Sequence, residues 1–342
     1  MLQNSILEGF STIFLSIILE AIPFVMIGAF VSSLIQIFVS EETISRIIPK
    51  NRWLGLIAAS LMGFIFPVCE CAIVPIMRRL MKKGVPLHIA VTFMAAVPIV
   101  NPVVLASTYY AFSGQIHMVF LRGWLGLTSA ILIGHIIGIW QGKNNPMKET
   151  PSLVHAGCGC GHHDHDHHVH SHDCGCHSEA EEGVFDLMDD SCCGHHHSYH
   201  GKQRTGVFSK ISEIIEHTSL ELYDVGKFLI MGAFISAMMQ TFVARSYLLS
   251  IGQGQLTSIA VMLVLAFVLS LCSEADAFIA RTFLGQFTTG SIVGFMIFGP
   301  MSDIKNTMML MGTFKKGFVI RLTALMFAVC LMMALLVNFV GL

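Results

Sequence analysis

Charge is what this sequence has least of. Only 12% of its 342 residues are Asp, Glu, Lys or Arg, about half the ~25% usual in soluble domains. No G-x-x-x-x-G-K-[ST] run is present, so the chain brings no phosphate-cradling loop for ATP hydrolysis. It has no basic arm or finger spacing of the kind that meets nucleic acid, and a formal net charge of −2 says nothing for such a partner. The first residues show neither a basic n-region nor a small-residue cleavage site, so the first apolar segment is expected to be retained.

Apolar residues take the place of charge, at 54% of the chain. Several runs reach the ~20 residues of helix that a ~30 Å hydrocarbon core requires. The fold class that follows is all-α: a polytopic helical membrane protein surrounded by lipids.

The apolar runs fall into two sets of four. In the first set, segment one covers about 6–39 and is interrupted by Glu20 and Pro23, and segment two covers about 53–80 and breaks at Pro67. Segment three, about 86–112, breaks at Pro98 and Pro102, and segment four covers about 118–140. A polar insert occupies about 141–205. Residues 206–222 place apolar side chains near helical spacing with charges between them, which reads as an amphipathic lead-in at the membrane surface.

The apolar pattern then repeats. FVMIGAFVSSLIQIFV (24–39) against FLIMGAFISAMMQTFV (228–243) gives eight identities in sixteen positions. In that register Glu20 stands opposite Asp224; further on, VCECAIVPI aligned with LCSEADAFI sets Cys69 opposite Cys272, and VPIVN aligned with GPMSD sets Pro98 opposite Pro300 and Asn101 opposite Asp303. The chain therefore reads as a first transmembrane repeat (1–140), a His/Cys-rich loop (141–205), and a lead-in with the second repeat (206–342). About eight transmembrane segments with discontinuous helices are expected. If every broken segment crosses, or if both broken segments of a half are re-entrant, each half crosses an even number of times. The repeats are then parallel, and the insert shares a side with the N-terminus. One crossing plus one hairpin per half inverts them. Arg78, Arg79, Lys82 and Lys83 place their turn inside by the positive-inside rule. In the eight-crossing arrangement the N-terminus and insert are then inside, and Lys315 and Lys316 outside.

Polar groups at the breaks mark a candidate pathway. A carboxylate near the bilayer centre costs at least ~2.5–3.5 kcal/mol, and proline removes a backbone hydrogen bond that lipid cannot replace. Such groups persist where they face protein or a water-filled cavity. Cys69, Glu70, Cys71, Pro98, Asn101 and Pro102 in the first half, and Cys272, Glu274, Asp276, Pro300 and Asp303 in the second, are the expected substrate or ion pathway. Thiolates there suit soft metals and metalloids, while carboxylates suit protons or hard cations. Three acids at one cavity, Glu274, Asp276 and Asp303, cannot all stay charged cheaply, so one is expected to carry a proton in part of a cycle, unless Lys305 or Arg281 neutralises them permanently. Glu20 and Asp224 are possible coupling residues, with helix capping or interface packing as the alternative.

CECAIVPIMRRLMKKGVPLHIAVTFMAAVPIVNPVVLASTYYAF, with CSEADAFIARTF and GFMIFGPMSDIKN in the second half, resembles the predicted permease family that includes YraQ and the organoarsenical-efflux permeases. The resemblance covers the chain outside the insert. It implies an inner-membrane permease, in some members moving trivalent organoarsenicals and in some acting with a small membrane partner. The family commonly has Cys-Ser-Cys-Gly where this chain has Cys69-Glu70-Cys71-Ala72, so an arsenical cargo does not simply carry over.

The insert holds thirteen histidines and six cysteines between His155 and His200. Cys158, Cys160, His162, His163, His165, His167, His168, His170, His172, Cys174, Cys176, His177, Cys192, Cys193, His195, His196 and His197 are its candidate ligands. Their irregular spacing suits a multidentate buffer for zinc, nickel or copper rather than a folded structural site. No cofactor is required by the rest of the chain.

Three functions fit these features. The first is a secondary permease, not an enzyme, exporting a soft metal, metalloid or thiol-reactive compound. The second is a membrane thiol–disulfide protein using Cys69 and Cys71, against which stands the strain of a C-x-C disulfide. The third is a metal sensor signalling to a partner.

Overall fold

The computed structural model describes residues 2–38, 51–65, 70–140, 146–148, 207–242 and 254–341. These residues form twelve helices and no strand beyond isolated bridges. In the first half they are α1 (Leu2–Phe38), α2 (Arg52–Ile65), α3 (Glu70–Lys82), α4 (Leu87–Val100), α5 (Pro102–Ala111) and α6 (Ile116–Trp140). Their counterparts are α7 (Val207–Phe242), α8 (Gln255–Leu269), α9 (Ser273–Arg281), α10 (Thr289–Met301), α11 (Ile304–Thr313) and α12 (Lys316–Val340). Five stretches are long and apolar enough to cross a membrane, one of them the broken pair α4–α5. The protein is a multi-pass helical membrane protein.

Two expected interruptions are absent. Pro23 lies inside a continuous α1, and the lead-in at 206–222 is the first part of α7, which runs unbroken into its span. No Gly or Pro stands between Val207 and Gly226 to stop that helix.

The breaks in α4–α5 and α10–α11 come after Pro98 and Pro300 rather than at them, the first of them at the expected Pro102. Pro98 and Pro300 are both within helices. The first break is at Asn101, whose ψ of 129° is extended, because Pro102 excludes the helical conformation from the residue before it. Asn101 then caps α5 by accepting from the Val103 N–H at 2.9 Å. Asp303 does the same for α11, accepting from the Asn306 N–H at 2.5 Å.

Helix ends fix the topology. Met147 bridges to Phe314, the Lys148 N–H donates to Thr313 O at 3.0 Å and the Lys315 N–H to Pro146 O at 3.0 Å. The chain thus departs for the insert beside the start of α12, and α6 ends where α12 begins. Arg52, opening α2, donates to His135 O near the end of α6 at 2.5 Å. Gly138 lies against both Arg52 and His88, the second residue of α4. A short turn, with the Val85 N–H on Leu80 O at 3.0 Å, joins α3 to α4. So α2 enters and α3 leaves on the insert side, and together they are a re-entrant hairpin.

The second half repeats this from the opposite side. Ser258, opening α8, meets Ser291 near the start of α10 at 2.8 Å, and the Gly290 N–H donates to Asn338 Oδ1 near the end of α12 at 2.8 Å. Arg281, ending α9, donates to Ala111 O at the end of α5 at 2.6 Å. Helices α1 and α7 are antiparallel: Phe10 packs on Phe234 (5.4 Å between ring centroids), and Thr218 donates to Ser33 Oγ at 3.0 Å.

The eight segments per chain are therefore arranged as one hairpin and three crossings per half, and the two halves are inverted. The parallel arrangement, with insert and N-terminus on one side, is corrected. Lys315 and Lys316 join Arg78, Arg79, Lys82, Lys83 and Lys148 on the insert side.

Packing departs from strict symmetry at the long helices. Helix α1 lies along α3, but α7 lies along α11 rather than along α9, the equivalent of α3. Both long helices thus cover the insert-side half-helices, and among the described residues α5 and α9 receive no comparable cover from them.

Candidate functional site

The start of α3, the α8–α9 turn and the two breaks come together inside the bundle, where α3 packs on α11 and α9 on α5. Glu70, the first residue of α3, is 1% exposed. Across from it stands Lys305, in the first turn of α11. Its ammonium lies 3.4 Å from Glu70 Oε1, 3.5 Å from Asp303 Oδ2 and 3.4 Å from Ser270 O. Ser270 is left-handed (φ 47°) at the end of α8, so its carbonyl leaves the helix ladder and turns to the site.

Arg122 organises the opposite side. It is fully buried in α6, donating to Thr108 Oγ1 of α5 and to Ser273 O of α9, each at 2.8 Å. Its planar fork joins the second-half hairpin to the first-half broken helix. Asp276, 2% exposed, shares this region: Arg122, Glu70, Asp303 and Lys305 are the charges acting on it. Its Oδ2 has no hydrogen-bond partner, and Gly299 leaves room beside it.

Of the expected pathway residues, Glu70, Cys71, Cys272, Glu274, Asp276 and Asp303 gather at this centre. Cys71 and Cys272 are buried free thiols within electrostatic reach of Lys305, and Cys272 donates to Glu274 Oε2 at 2.6 Å. Asn101 and Pro102 form the α4–α5 break, whereas Pro98 and Pro300 lie inside helices one turn earlier. Glu20 is exposed on α1. Asp224 is 39% exposed and pairs with Lys227 and Arg78 at the insert side. Cys69 and Pro67 lie outside the described residues, as do all the candidate ligands of the insert. Among the described residues no three His, Cys, Asp or Glu side chains come together as a metal site.

Sequence reasoning passed over Arg122 and Ser270 as site residues. An arginine in the second turn of an apolar 25-residue helix is a signal in itself, since such a charge faces the bundle interior. Ser270 offered no such signal, because its part is played by its backbone.

The profile of a predicted permease family of the ArsP type matches residues 6–339. The chain belongs to that family. This permease-family protein is 44% identical over 336 residues to the UPF0718 protein YcgR of Bacillus subtilis, covering 98% of this chain and 99% of that one. It is 36% identical over 320 residues to a Streptococcus mutans protein provisionally named as a two-component membrane permease complex subunit, covering 94% and 91%. UPF0718 protein YraQ of Escherichia coli is 23% identical over 134 residues, 37% of this chain. No solved structure matches the present chain.

Proposed function

We propose that this protein is a secondary permease that carries a small cargo past the buried centre between the two hairpin tips. The observation that carries this is the gathering of half-helix ends from two inverted halves around Glu70, Lys305, Asp303, Arg122 and Asp276. Inverted repeats with broken helices at the midplane are the architecture of alternating-access transporters. The unequal covering by α1 and α7 suits one end state of such a cycle. Exchanging the roles of the halves moves the long helices from α3 and α11 to α5 and α9, closing one side and opening the other.

Soft thiols at Cys71 and Cys272 beside the charges, with Cys69 two residues before Cys71 in the sequence, favour a soft metal, metalloid or thiol-reactive cargo. Arg78, Arg79, Lys82, Lys83, Lys148, Lys315 and Lys316 gather on the insert side, against Arg281 at the other, and by the positive-inside rule the insert side is cytoplasmic. The chain then lies in the cell (inner) membrane with its His-rich insert inside and both termini outside, and efflux is the direction. The insert buffers zinc, nickel or copper without forming the pathway. The name of the S. mutans relative supports a second membrane subunit here too.

The test is a metal and metalloid sensitivity screen of a deletion strain, with cellular accumulation measured. Hypersensitivity with raised accumulation of one cargo, reversed by the intact gene, is expected. Unchanged accumulation across the screen together with thiol trapping at Cys69 points instead to redox chemistry.

A further inference from the structure

We infer that Lys305 is a tethered cation occupying a site that also takes Na+, and that the two alternate there. The inference deepens the permease reading by naming a coupling ion for the same centre.

Charge balance comes first. Four carboxylates, Glu70, Glu274, Asp276 and Asp303, act on one another here, and among the described residues Arg122 and Lys305 are the cations set against them. With all of them ionised the centre carries an excess of two negative charges. An uncompensated buried charge costs several kcal/mol, so the centre has a standing demand for further positive charge.

Geometry comes second. Lys305 touches three oxygens from three elements, a carboxylate of α3, the cap of α11 and the backbone carbonyl at the end of α8, yet none is closer than 3.4 Å. Charge-assisted N–H···O bonds run to about 2.7–2.9 Å, so the ammonium is held by position more than by tight bonding. The second oxygen of the same Glu70 carboxylate, Oε2, is buried and has no hydrogen-bond partner. Ser302 Oγ and Asn306 Oδ1, on either side of Asp303 in the chain, are likewise buried and unpartnered. Glu70 thus brings the lysine's site a second, unused carboxylate oxygen.

The donor chemistry sets the ligand class. Two carboxylates and a backbone carbonyl at a half-helix end are hard donors. Unwound carbonyls and half-helix ends are where transporters seat Na+. A monovalent ion replaces the lysine charge for charge when its flexible stem withdraws.

Purified full-length protein in lipid nanodiscs tests this with radioactive sodium binding, choline and K+ serving as controls. Lys305→Met should bind Na+ saturably, at least about tenfold more tightly than wild type, a change of about 1.4 kcal/mol. Adding Glu70→Gln in that background should remove the binding. Binding no tighter than wild type, or binding that survives Glu70→Gln, overturns the proposal. Should Lys305→Met not fold, the wild-type protein decides: weak saturable binding lost in Asp303→Asn supports the proposal, and its absence contradicts it. Cargo flux is read separately. Flux without Na+ binding removes only this inference, and Na+ binding without flux removes only the permease reading.

Discussion

Gly28 and Gly232 hold the same position in the two halves, and each is where a long helix meets the backbone of a half-helix. A Cβ on Gly28 would lie 2.6 Å from the Ala72 Cα in α3, and one on Gly232 would lie 2.9 Å from the Lys305 Cα in α11. The duplicated glycine therefore seats both helices that carry the Glu70–Lys305 pair. Gly28→Val or Gly232→Val should push those helices apart at a cost of about 1–3 kcal/mol. A lowered Tm of the purified protein, with weaker flux, is the expected reading.

Arg122 is the next place where one side chain spans both halves. Arg122→Lys keeps the charge but cannot reach Thr108 and the Ser273 carbonyl with one planar fork. The variant should lose about 1.5–3 kcal/mol of stability for a charged hydrogen bond left unmade. Arg122→Gln should lose more, since it also strips Asp276 of a neighbouring cation. Thermal unfolding of the two variants against wild type checks the order.

On the insert side, Arg79 lies 2.5 Å from Glu221, which is 2% exposed, and Arg78 reaches both Glu221 and Asp224. These pairs join α3 to α7 and hold that side closed. Breaking a buried pair leaves a bare charge at a cost of about 3–5 kcal/mol. Arg79→Glu should therefore raise thiol-reagent access to Cys71 from the insert side, and Glu221→Arg in the same chain should restore protection. Equal labelling in all three proteins counts against a gate there.

The inverted arrangement makes a topological prediction. A green fluorescent reporter placed in the insert should fluoresce, while one at the C-terminus should be dark and an alkaline phosphatase there active. The parallel arrangement requires the C-terminal and insert reporters to agree.

Much of this was legible in the residues. The 24–39 and 228–243 match revealed the duplication, and the apolar runs set apart by Asn101–Pro102 and Asp303 marked the breaks. The hand of the repeat was not legible, because α2–α3 has the same hydropathy whether it crosses or returns. It took the Arg52–His135 bond and the Lys148–Thr313 pairing to show that it returns. The prolines misled slightly. Pro98 and Pro300 are tolerated within helices, and each break comes one turn later, at a residue that caps the next helix. Lys305 was legible as a charge but not as the partner of Glu70, since 235 residues separate them.

The central claim is that cargo passes the Glu70–Lys305–Asp303 centre, and flux in reconstituted vesicles tests it most directly. With the cargo that the deletion screen identifies, wild-type protein should give saturable uptake. Glu70→Gln and Asp303→Asn, confirmed as folded and inserted, should each reduce it by at least about tenfold, the effect of losing about 1.4 kcal/mol. Full flux in both variants would contradict the account and place the pathway elsewhere.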